Sequence, residues 1–251
     1  MKMTTIRQII FPLAAVLVAV ACNSSSDEAT SADIAEEHSA ETFAEHMHGH
    51  LVHVDAIKTA VIAGNLEATR EHSVWLSEHD EPPGMPDAWS PYVEEMRQYA
   101  AVAASSRDLE RVAVAVSEIA RTCGECHRTY GASPEFSAGQ RPTQELHDVK
   151  TEMHRHLWAA NRMWESMIVP SNDAWQSATD MLADVRIDPA RLANDTANAA
   201  QVEALLEQAR DLGELGAQTS AGPLRSEQLG RFLSLCASCH TLTGGGPDPR
   251  I

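Results

Sequence analysis

A five-residue pattern occurs twice in this chain, as Cys123-Gly124-Glu125-Cys126-His127 and as Cys236-Ala237-Ser238-Cys239-His240. Each copy follows a stretch whose apolar residues recur with helical period, and strand-like alternation is almost wholly missing from about His38 onward. A fold built on this chain must therefore be all-α. It must also bring two thiols and an imidazole to the end of a helix in two places.

Helical stretches are expected at about 35–63, 66–79, 86–104 and 108–123 in the first half. Gly64, the segment Asp80-Glu81-Pro82-Pro83-Gly84 and the first cysteine motif punctuate them. The plan then repeats, with helices at about 143–169, 174–185 and 196–215, and a last one from about Pro223 into the second motif. The openings of the halves agree locally, Met47-His48-Gly49-His50-Leu51 against Met153-His154-Arg155-His156-Leu157, an offset of 106 residues. Between the motifs the offset is 113, a loop-length difference ordinary for a duplication. The expected architecture is two consecutive four-helix bundles, residues 38–131 and 143–251, joined by a linker over 132–142.

The amino terminus reads as an export signal over residues 1–21. Lys2 and Arg7 precede an apolar run from Ile9 to Ala21 that is too short to span a bilayer. Ala19-Val20-Ala21-Cys22 resembles the cleavage and lipidation site of bacterial lipoproteins, with Ala19 where that group has a larger aliphatic. That resemblance implies a lipid on Cys22 and a periplasmic, outer-membrane location; a plain secretory signal is the alternative. Residues 22–37 are polar and aperiodic, the composition of a flexible tether.

Acids outnumber bases 36 to 19, giving a formal charge of −17, or −19 once the signal and its two bases are removed. This argues against a nucleic-acid partner, which needs a basic stripe. It suits steering toward a partner protein with a basic docking patch.

Cys-x-x-Cys-His is the attachment pattern for c-type haem. Two thiols at this spacing can reach the two vinyl groups of one porphyrin, and the following histidine is carried under the iron. The expectation is two covalent haem c groups, held by Cys123, Cys126, Cys236 and Cys239, with His127 and His240 as proximal ligands. The competing uses are one four-sulfur zinc site, a redox dithiol or a strained local disulfide. None of them uses the two histidines. The count of five cysteines then closes, one for lipid and two for each haem. Aromatics are only 5% of the chain, which fits a core completed by porphyrins.

A four-helix bundle with this motif near the end of its last helix resembles the cytochrome c prime family and its low-spin relatives. Cys123 to Tyr130 looks much like the family signature, including the aromatic three residues after the histidine. The second copy departs there, with Leu242 and Thr243, and Gly131 stands where the family has arginine. The resemblance implies that the first helix of each half crosses the distal face of the haem. Its haem-facing spacing lands on Met47, His50, Val54, Ile57 and Val61, and on Met153, His156, Ala160, Met163 and Met167. Met47 and Met153 are the first candidates for distal ligand, His50 and His156 the second, His48 and His154 the third. A helical wheel places Leu51, Val54, Lys58 and Val61 around the direction of Met47.

A methionine or imidazole ligand would give a low-spin, electron-transferring iron, and a non-ligand would leave the iron open to small gases. The functional expectation is single-electron transfer, not enzyme catalysis. Gas binding or detoxification, for nitric oxide or peroxide, is the second reading, and a haem-bearing accessory or sensor subunit the third. The remaining histidines, His38, His46, His53, His72, His79 and His147, are read as lying on solvated faces, with extra metal binding a minor option.

Overall fold

The structure is a computed structural model that describes residues 31–136, 139–143, 148–193, 196–220 and 222–246; the side chains of 31–42, 196 and 197 lie outside that description. The signal, Cys22, most of the tether and His147 therefore fall outside it. Among the described residues the chain is all-helical. The first group is α1 (Ser31–Ile62), α2 (Leu66–Glu78), α3 (Ser90–Ser105) and α4 (Leu109–Tyr130). The second is α5 (Val149–Ile168), α6 (Asn172–Ala183), α7 (Thr196–Gly216) and α8 (Gly222–Thr243). No described helix is long and apolar enough to cross a membrane.

Local chemistry sets most of the boundaries. Asn65, Asp108, Asp148 and Ser171 each accept a backbone N–H from the first turn of the helix that follows. Such a cap is worth about 1 kcal/mol. Gly64 and Gly131 both take φ of 72°, which a side chain resists, and so turn the chain out of α1 and α4. The third helix starts later than its sequence pattern suggests, because a short 3-10 turn at Asp87–Trp89 precedes it. The fourth continues through the cysteine motif to Tyr130, since no residue there breaks a helix outright.

One core runs through both groups of helices. Helix α4 lies at its centre, with Val112, Ala113, Val116, Ile119 and Ala120 fully buried. It packs on α3 on one side and α8 on the other. Small residues let α8 come close: a Cβ on Gly230 would stand 3.2 Å from the Val114 Cα. Ser226 donates a hydrogen bond to Glu118 Oε1 at 2.6 Å, and Gly222 lies against Arg121. The residue numbers rise along α8 as they fall along α4, so the two helices are antiparallel.

Helices α1 and α5 meet in a related way. The buried Lys58 ammonium donates to Asp55 Oδ1 at 2.5 Å and to Asn161 Oδ1 at 2.9 Å, and lies 5.4 Å from the centre of the Trp164 ring. Asp55 and Asn161 are equivalent positions at the offset of 106, as are Lys58 and Trp164. Contacts between equivalent positions on antiparallel elements are what a twofold relation between the halves produces.

Candidate functional site

Both cysteine motifs lie inside the last turns of their helices, and all four of their cysteines are free thiols, half-buried. Burial pushes Cys123 and Cys236 up to about 12, with a smaller contribution from Cys126 and Cys239 respectively. Cys126 and Cys239 are also raised by burial. These are protonated thiols near helix C-termini, the opposite of the electropositive setting that makes a redox dithiol reactive. The motifs sit at opposite ends of the antiparallel α4–α8 pair. From the register of Ser226 on Glu118, and about 1.5 Å of rise per residue, they are roughly 30 Å apart. One four-sulfur zinc site made of both pairs is thereby ruled out.

The histidine after each motif is held by the other half of the chain. His127 Nδ1 is 2.9 Å from the carbonyl oxygen of Ile168, the last residue of α5. His240 Nδ1 is 2.5 Å from the carbonyl oxygen of Ile62, the last residue of α1. A carbonyl only accepts, so each Nδ1 must carry the proton. In the neutral ring this tautomer puts the lone pair on Nε2, in a direction fixed by the backbone. Ile62 and Ile168 are again equivalent at the offset of 106, so the crossing is reciprocal. Gly124 seats the first motif against α5: a Cβ there would collide with the Met167 carbonyl oxygen, with Pro170 Cγ at 3.3 Å. On the other side a Cβ on Gly64 would stand 2.9 Å from Thr241 Oγ1.

These features fit a covalently attached haem in donor chemistry. Each motif offers two neutral thiols one turn apart and an oriented imidazole with a free Nε2.

The distal candidates separate. His156 lies near His240: burial, then the His240 and Arg155 charges, push it down to about 4, and its ring packs edge-on to Phe232 at 6.0 Å. Met153 is half-buried and packs on a small apolar cluster of Val185, Ile187, Val202 and Leu206 that Leu242 also joins. In the first half, Met47 is half-buried and His48 exposed. His154 is also exposed.

His50 has different company. It is 5% exposed, and its ring lies 4.3 Å from His46 and 5.7 Å from His79. His53 stacks on Trp75 at 3.7 Å, and Trp75 stacks on His79 at 3.8 Å. His72 Nδ1 is 3.0 Å from His53 Nδ1. The expectation that His46, His53, His72 and His79 sit on solvated faces is thus corrected. Trp75 on α2 and the segment after it cover that side of α1, and all four are half-buried. The side chain of His38 lies outside the described residues.

A groove elsewhere, between α4, α7 and α8, is lined by Val114, Leu212, Ala237 and Ser238 among others, but by neither cysteine of the second motif. No protein-family model, curated protein or solved structure matches this chain.

Proposed function

We propose that the protein is a dihaem c-type cytochrome that passes single electrons on the periplasmic side of a cell envelope, tethered through a lipid on Cys22. Each group of four helices would serve as one haem-binding bundle, as in the cytochrome c prime family that the motifs resemble. The observation that carries this reading is the pair of reciprocal hydrogen bonds from His127 to Ile168 and from His240 to Ile62. A histidine that serves as an axial ligand gives its other nitrogen to a fixed acceptor, which sets its direction and basicity. A histidine that merely follows two structural cysteines has no such need.

When bound, the haem supplies an iron that cycles between two oxidation states. The residues do the rest. Cys123 and Cys126, and Cys236 and Cys239, would hold the porphyrin by thioether links. The carbonyls of Ile168 and Ile62 hold the imidazoles still, which limits rearrangement when the charge changes. The company kept by the distal candidates favours unlike ligands. His156 is supported in the second half by its nearness to His240. Met47 is the candidate left in the first half, because His50 lies against His46 and His79. The two motifs lie roughly 30 Å apart along the α4–α8 pair, which would let each centre meet its own partner.

Mass spectrometry and peroxidase staining of the denatured chain should find two haems per chain, falling to one in Cys123→Ala/Cys126→Ala. A chain exported beside a haem-attachment apparatus yet carrying none sinks the reading. The reduced spectrum should show sharp α bands unmoved by carbon monoxide. A band that shifts with the gas assigns that centre to gas binding instead.

A further inference from the structure

We propose that His46, His50 and His79 form a second, non-haem metal site that binds a borderline divalent ion of the Zn2+ class. His46 and His50 stand one turn apart on α1, and His79 caps the C-terminus of α2. One ligand atom from each ring lies within 4.8 Å of the others. Tetrahedral Zn–N bonds of about 2.1 Å put ligand atoms roughly 3.4 Å apart, so small ring rotations close the site. The independent observation is an orphan: His50 Nε2 is buried with no hydrogen-bond partner. A buried polar atom left alone costs about 1–3 kcal/mol, and an ion would satisfy it.

The surroundings are those of a metal site. Glu81 Oε2 lies 3.1 Å from His46 Nε2, so the carboxylate accepts that N–H and leaves Nδ1 of His46 for the ion. This is the carboxylate–histidine arrangement that orients metal-bound imidazoles. Arg97 is the cation nearest the cluster. It is occupied by Glu81 Oε1 at 3.1 Å and by the His79 carbonyl. Three nitrogen ligands exclude Ca2+ and Mg2+, which need oxygen, and leave a fourth position for water or an outside ligand. The site shares no cysteine with the proposed haem centres and stands whether or not they are filled.

The test is Zn2+ titration by calorimetry on the full chain after chelator washing, with zinc and iron counted together by elemental analysis. One zinc per chain is expected, unaffected by excess Mg2+. His79→Gln should weaken binding at least tenfold and Glu81→Gln about tenfold, while His72→Gln binds as the wild type does. If His79→Gln fails to fold by circular dichroism, His46→Gln takes its place with the same expected loss. Absence of zinc binding at micromolar concentration overturns the proposal. So does equal binding by His79→Gln and His72→Gln, or zinc that is lost only when Cys123 and Cys126 are replaced.

Discussion

Replacing Gly124 with alanine tests the seat on which the first motif rests. In an isolated helix the change would help, since alanine is favoured over glycine by about 1 kcal/mol. Here the added methyl would meet the Met167 carbonyl oxygen, with the Met167 carbonyl carbon at 3.1 Å and Pro170 Cγ at 3.3 Å. Two of these atoms are backbone and cannot rotate away, so α4 and the end of α5 must part. Overpacking of this kind costs about 1–3 kcal/mol. The same movement stretches the 2.9 Å bond from His127 to Ile168, for about 1 kcal/mol more. Net of propensity, a loss of about 2 kcal/mol is expected, or roughly 4–8 °C in Tm for a unit of this size. Gly139→Ala is the comparison, because a Cβ there meets nothing within 4 Å, and it should change stability by less than about 0.5 kcal/mol. Thermal unfolding followed by far-ultraviolet circular dichroism reads both. A Gly124→Ala protein as stable as Gly139→Ala refutes the close seating of α4 on α5.

Arg121 binds Glu95 and Glu118 at 2.6 Å and Glu125 at 2.8 Å, with its side chain 11% exposed. Arg121→Ala leaves three carboxylates facing one another and should cost about 2–4 kcal/mol by chemical denaturation, with Arg121→Lys recovering only part. Burial, then His46, His79 and Arg97, pushes His50 down to about 3 from an ordinary 6.5. The unfolded chain therefore takes the proton more readily. The contribution is complete above about pH 6.5 and is lost as pH falls toward 3, amounting to a few kcal/mol. In metal-free protein His50→Gln should flatten the stability profile over that range; an unchanged slope contradicts the burial. A net charge of −17 should make stopped-flow reduction by a basic redox protein slow as salt rises, and a flat response rules out steering.

The helices and motifs were legible because their causes are local. Asp108 and Asp148 announce helix starts by their own side chains, and the two motifs repeat with fixed spacing. The crossing of the halves was not legible. His240 and Ile62 lie 178 residues apart, and no local pattern marks a carbonyl that will be used at such a distance. One signal did exist. Val112, Ala113, Ala115, Val116, Ile119 and Ala120 spread over a buried face of α4 wide enough for more than one neighbour, while Val114 on the other side is 45% exposed. The histidine cluster was missed for a related reason. A wheel drawn for α1 alone assigns His46 and His53 to the solvent, and only the fold brings Trp75 and His79 over them.

The reciprocal bonds to Ile62 and Ile168 make neither half complete without the other. A half-length ancestor could have made the same contacts only by meeting a second copy of itself, at a strength that fell with dilution. Joining the copies in one chain turns that encounter into an intramolecular event, and the pairing no longer depends on concentration. The connection is then needed for speed of assembly, not for cohesion. A chain cut by protease within 137–147 should still run as one particle on gel filtration, and separation into two would show that the halves are held by their linker alone.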